Sequence, residues 1–122
     1  MELYTGVDIL EIDRIKRSLE NPRFLTRFFS CAEQEQYHLR RDNPSYIAGC
    51  FSAKEAFSKV LGTGIRGFSL HEISVLREES GKPCLAFDGQ ARNIVLESGL
   101  QFDVSISHTK ELVTAFVVGY RA

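Results

Sequence analysis

The sequence predicts an α+β fold. Helical patterns crowd the first half of the chain, strand patterns broken by turn chemistry fill the second, and no internal repeat interleaves the two. No low-complexity segment or linker divides the 122 residues, so one domain spanning 1–122 is expected.

The elements follow in order. Residues 4–12 mix Val7, Ile9, Leu10 and Ile12 with polar side chains, and the first part reads as a strand. Asp8 lies within or just beyond it, between Val7 and Ile9; the alternation of a half-exposed strand accounts for that carboxylate without any function. A short helix is expected over 13–19, stopped by Asn21-Pro22, with Pro22 placed to open a further helical turn through 23–29. Ser30 and Glu33 have capping-box spacing and precede a polar helix reaching about residue 41. Asn43-Pro44 breaks that helix and the long helix 45–61 begins. Its Ile47, Phe51, Phe57, Val60 and Leu61 form an apolar stripe, and Gly62 stands where a left-handed cap is expected. Beyond it, 70–76 reads as a strand, 78–83 as turn chemistry and 84–87 as a short partner strand. Asp88 can cap a helix to about residue 98, ended by Gly99. Residues 103–108 then alternate polar and apolar, and 112–120 form a more apolar strand joined through Thr109-Lys110-Glu111.

Composition narrows the class. Hydrophobic residues at 43% and charged residues at 25% are ordinary for a soluble globular protein. No apolar run approaches the roughly 20 residues that span a bilayer, and the opening residues lack the basic segment and apolar core of a signal peptide. Cys31, Cys50 and Cys84 are odd in number and have no metal-ligand spacing, so they read as reduced thiols of a cytoplasmic protein. A formal net charge of −1 argues against generic nucleic-acid binding. Arg14, Lys16, Arg17, Arg23 and Arg27 nevertheless crowd one segment, opposed between Arg14 and Arg27 only by Glu20. That segment reads either as a solvated helix face or as a docking surface for an acidic partner.

The richest chemistry lies between Phe51 and Gly64. Glu55 and Lys59 stand at i and i+4, on one helical face, and a Gly62-Thr63-Gly64 loop follows. Taken alone, the pair is an ordinary surface ion pair worth about 0.2–0.5 kcal/mol. Joined by Asp8, it would offer two hard carboxylates for Mg²⁺, completed by phosphate oxygens, and an ammonium for a phosphate. The glycines are not a nucleotide-hydrolase phosphate loop, because they follow a helix and lack the Gly-Lys-Ser/Thr ending. Ser105, Ser107 and His108 do not form a hydrolase nucleophile, for they alternate along a strand; Ser107, His108 and Thr109 could bind a phosphate or nucleotide at its end. His38 and His71 receive no role.

Four segments together resemble the holo-acyl-carrier-protein synthases, the small bacterial class of 4′-phosphopantetheinyl transferases. They are the stretch from Gly6 to Ile15, the stretch from Phe28 to Glu33, the stretch from Phe51 to Ile65 with its Lys54-Glu55-Ala56 and Gly62-Thr63-Gly64, and the stretch from Val104 to Thr109. The resemblance covers nearly the whole chain. It implies an antiparallel sheet packed on a long central helix, a homotrimer with active sites between subunits, and a role in fatty acid biosynthesis. The implied reaction is Mg²⁺-dependent transfer of 4′-phosphopantetheine from coenzyme A to a serine of apo-acyl carrier protein. By the same resemblance, Asp8 and Glu55 would hold Mg²⁺ and Lys59 would neutralise phosphate charge. Glu55, directly or through a bound water, would remove the serine proton. Ser107, His108 and Thr109 would meet the nucleotide end of coenzyme A, with the Gly62-Thr63-Gly64 backbone close by. Arg14, Arg17, Arg23 and Arg27 would meet the acidic carrier. Many members carry an arginine where this chain has Cys50; if it helps them bind a coenzyme A phosphate, this chain must rely on other donors or bind more weakly, and position 50 is given no phosphate-binding role. Ser52 replaces a common alanine. The competing readings are a transferase for polyketide or peptide synthase carriers and a non-catalytic coenzyme A or carrier-protein binding module.

Overall fold

The computed structural model describes residues 1–62, 64 and 66–121. Its elements run β1 (Glu2–Glu11), α1 (Ile12–Leu19), α2 (Arg23–Phe28), α3 (Cys31–Leu39), α4 (Pro44–Leu61), a 3-10 turn (Leu70–Glu72), β2 (Ile73–Arg77), β3 (Pro83–Phe87), α5 (Gly89–Ser98), β4 (Gln101–His108) and β5 (Leu112–Arg121).

Helix α4 is central because its sequence permits burial on almost every side. Asn43 Oδ1 accepts from the Ser45 N–H at 3.0 Å, and Pro44 occupies the first turn, where a missing N–H costs nothing. Gly62 closes the helix at φ 75°, a conformation that penalises any Cβ. Small residues Ala48, Gly49, Ser52, Ala53 and Ala56 let neighbouring elements come close.

One face of α4 lies on the antiparallel sheet β1-β5-β4. The approach is tightest at Gly6 of β1, where an added Cβ would overlap the Ala56 carbonyl oxygen. Strand alternation then carries Gly6 and Asp8 to the helix side and Val7 and Ile9 to the outside. Val104, Val113, Ala115 and Val117 complete the buried face of the sheet.

The opposite side of α4 packs on α3 and the β2–β3 hairpin around a buried ion pair. Glu33 and Lys54 are both wholly enclosed. The Glu33 carboxylate accepts from Lys54 Nζ, and it accepts from the Ser30 and Val75 N–H groups at 3.0 Å in both cases. Lys54 Nζ also donates to the Phe28 carbonyl at 2.8 Å and sits 4.6 Å from the Phe29 ring centroid. Burial pulls the Lys54 ammonium below the usual lysine range, against the attraction of Glu33. Phe24, Phe28 and Phe29 cluster with Phe51 and seat α2 on α4.

The α+β architecture and its antiparallel sheet on a long helix agree with expectation. Several boundaries differ: β1 runs from Glu2 to Glu11, with Ile12 opening α1, and β4 begins at Gln101. Pro22 is the N-cap of α2 rather than its first residue, and α3 ends at Leu39. Residues 70–72 form a 3-10 turn instead of the start of a strand. Its Glu72 carboxylate accepts from Ser69 N at 2.8 Å and from Gln90 N at 2.9 Å, so one side chain caps both the turn and α5.

Candidate active site

The approach of β1 to α4 assembles the charged groups. Asp8 retains 18% of its side-chain exposure, and its Oδ1 lies 3.7 Å from Lys59 Nζ. That ammonium also donates to the Val7 carbonyl at 2.8 Å, so Lys59 turns to β1 instead of pairing with Glu55 along the helix. Ser52 Oγ donates to Asp8 Oδ2 at 3.1 Å, and Thr114 Oγ1 donates to the Asp8 carbonyl at 2.7 Å. Glu55 is half-buried between Ser52 and Lys59 on α4. Burial raises its proton affinity most, the Asp8 charge raises it further, and Lys59 and Arg14 oppose them. Asp8, Glu55, Lys59 and Arg14 thus share one electrostatic environment.

Two mutually repelling carboxylates beside open solvent suit a hard divalent cation, which would relieve their repulsion. Among the described residues no group of three or more His, Cys, Asp and Glu side chains could hold a metal alone. A cation here needs oxygens from water or a bound phosphate, the usual condition for Mg²⁺.

Ser107 stands opposite Thr114, which stands opposite Ile9, in a row on the outer face of the sheet. With His108, Thr109 and Leu112 these residues line a shallow cavity of about 150 Å³. The Thr109 hydroxyl accepts from the Glu111 and Leu112 N–H groups at 3.3 and 3.0 Å, so it shapes the β4–β5 turn. His108 is exposed, its Nδ1 3.4 Å from the Thr109 carbonyl oxygen. Gly62 and Gly64 both adopt positive φ in open space, at 75° and 67°, and Thr63 lies outside the described residues.

The four arginines are all exposed and line two neighbouring clefts. Arg14 and Arg17 border one of about 300 Å³, while Arg17, Arg23 and Arg27 border another of about 310 Å³ floored by Phe24 and Phe28. Arg17 is common to both.

Sequence reasoning missed three contributors. Ser52 shares the helical face of Glu55 and Lys59, a spacing that could have flagged it. Arg14 was considered only for partner docking, yet its charge reaches Glu55. Thr114 carries no local signal, since its partner is 106 positions away. Cys50 lies in the interior. It is 1% exposed and turned toward Tyr46, Glu33 and Lys54, with burial pushing its thiol far up.

The family model of the 4′-phosphopantetheinyl transferase superfamily matches residues 4–117. A holo-[acyl-carrier-protein] synthase of Caldanaerobacter subterraneus subsp. tengcongensis is 43% identical over 120 residues, covering 97% of this chain and 94% of that protein. The crystal structure of the Neisseria meningitidis holo-[acyl-carrier-protein] synthase superposes with a TM-score of 0.91 at 31% identity, covering 97% of this chain and 98% of the other. The Helicobacter pylori synthase, solved in complex with coenzyme A, gives 0.84 at 31% identity, with 95% and 99% covered.

Proposed function

The chain belongs to the 4′-phosphopantetheinyl transferase superfamily, and from that premise we infer that it is a holo-[acyl-carrier-protein] synthase. It transfers 4′-phosphopantetheine from coenzyme A to a serine hydroxyl of apo-acyl carrier protein and releases adenosine 3′,5′-bisphosphate. The observation that carries the reading is the convergence of Asp8, Glu55 and Lys59 where β1 meets α4.

The serine oxygen forms a bond to the phosphorus bearing the pantetheine arm, and the bond from that phosphorus to the leaving bisphosphate breaks. Asp8 and Glu55 would hold Mg²⁺, which when bound neutralises charge on the pyrophosphate. Lys59, fixed by the Val7 carbonyl, adds an ammonium against charge growing on the leaving group. Glu55, whose proton affinity is raised, accepts the serine proton. The backbone of Gly62 and Gly64 would lie close to coenzyme A.

Ser107, His108 and Thr109 contact the nucleotide end of coenzyme A in a site shared with a neighbouring subunit. Ser107 lies on the outer face of the sheet and lines one cavity with His108 and Thr109, which supports that arrangement, because the same face exposes Leu3, Val7, Ile9, Leu112 and Phe116. An apolar surface of this extent calls for cover, and the assembly proposed is a homotrimer. Arg14, Arg17, Arg23 and Arg27 receive the acidic carrier, whose charge they complement. The 122 residues act as one domain in the cytoplasm and serve fatty acid biosynthesis. Among the described residues no helix is long and apolar enough to cross a membrane.

Intact-protein mass spectrometry of apo-acyl carrier protein incubated with this protein, coenzyme A and Mg²⁺ tests the reading. A gain of one phosphopantetheine group, abolished by chelator, is expected. Coenzyme A binding without transfer to any of several carriers would replace the enzyme with a binding module.

A further inference from the structure

Ser52 lies on α4 one turn before Glu55 and is completely buried. A serine inside a helix commonly returns its hydroxyl to the carbonyl four residues back. Ser52 instead reaches across to β1, donating to Asp8 Oδ2 at 3.1 Å with the Asp8 carbonyl oxygen 3.4 Å away. Thr114 fixes that carbonyl from the adjacent strand β5, and the contact of Gly6 with Ala56 fixes the backbone two residues earlier. The other carboxylate oxygen, Oδ1, faces Lys59. The two oxygens of Asp8 are therefore unequal: one is occupied by a buried hydroxyl and the other is turned to the charged cluster.

Carboxylates can meet a cation through one oxygen or two. Ca²⁺ accepts either mode in a loose shell of six to eight oxygens, whereas Mg²⁺ requires a tight octahedron in which a two-oxygen bite fits poorly. We propose that Ser52 is a positioning residue which, by holding Asp8 Oδ2, commits Asp8 to one-oxygen coordination through Oδ1 and so favours Mg²⁺ over Ca²⁺. This rests on the reading of Asp8 and Glu55 as the cation site. Ser52 touches no reactant; it acts through the orientation of Asp8.

The test is calorimetric titration of Mg²⁺, and separately of Ca²⁺, into protein saturated with coenzyme A and free of carrier. Ser52→Ala removes one oxygen, and Ser52→Cys fills similar space with a weak donor. In Ser52→Ala, Mg²⁺ binding is expected to weaken about tenfold, while Ca²⁺ changes by less than about threefold, the scale at which outer partners of metal ligands act. Ser52→Cys is expected to follow the alanine variant, which a simple packing role would not produce. Melting curves check that both variants fold. A wild-type Mg²⁺/Ca²⁺ ratio in both variants would overturn the role of Ser52 and leave the cation site standing. Wild-type protein that takes up neither cation with coenzyme A bound would overturn the cation site and this proposal with it.

Discussion

The Glu33–Lys54 pair offers a stability prediction with an unusual sign. Removing the carboxylate by Glu33→Ala leaves the enclosed ammonium with only the Phe28 carbonyl and the Phe29 ring. Breaking a buried pair from one side costs about 3–5 kcal/mol. The Val75 N–H loses its acceptor as well, adding about 1–3 kcal/mol. Together these give about 4–8 kcal/mol, comparable with the roughly 5–15 kcal/mol that holds a domain folded. Lys54→Met costs less, because Glu33 keeps its two backbone donors from Ser30 and Val75. In the double variant the ammonium is absent, so Lys54→Met partly restores a protein that Glu33→Ala destabilised. Urea unfolding followed by circular dichroism measures all three variants. A pH series adds a second check. Without Glu33 the folded lysine pKa falls further below 10.5. The unfolded chain then binds more protons, so Glu33→Ala gains stability as pH rises toward 10.5. A loss below about 1 kcal/mol for Glu33→Ala, or further destabilisation on adding Lys54→Met, would refute an argument built on an uncompensated buried charge.

Three other outcomes are expected. Glu55 has a folded pKa above its ordinary 4.5, so its ionisation opposes folding. The Tm advantage of Glu55→Gln in metal-free protein should be absent well below pH 4.5, grow through the window above it and then level off; a pH-independent difference would contradict this. Arg17→Glu and Arg27→Glu should each raise the KM for carrier protein about tenfold or more at low salt, fading as salt rises. The KM for coenzyme A should be unchanged, and equal effects on both substrates would remove the docking assignment. Phe116→Asp, opposite Val7 on the exposed sheet face, should yield folded monomers by light scattering, whereas persistent trimers would place the interface elsewhere.

What could be read from the chain followed the range of the forces involved. Ser30 with Glu33, Asn43-Pro44, Gly62, Asp88 and Gly99 all act within a few residues, and each marks an element end. Glu55 and Lys59 were placed on one face by helical period alone. The junction with Asp8 was beyond that reach, because it depends on a glycine in β1 meeting a carbonyl of α4 fifty residues later. Cys50 shows the same limit. It stands five residues before Glu55, about 140° round the helix at 3.6 residues per turn. That phase places it in the interior, away from the face that carries Glu55 and Lys59. Residues 70–72 form a turn rather than a strand start because Glu72 accepts from Ser69 and Gln90 at once, a link that only the folded chain creates.

The pairing of β1 with β5 has a kinetic meaning. Glu2 lies opposite Arg121 and Asp8 opposite Ala115, so the strand bearing Asp8 finds its neighbour only at the far end of the chain. Helices can form early from local contacts, but this ladder must wait for a loop spanning nearly the whole molecule to close. During synthesis, Asp8 stays without its strand partner until Leu112–Arg121 has been made. During refolding, coenzyme A binding should therefore return later than helical circular dichroism, and the lag would time the docking of β5.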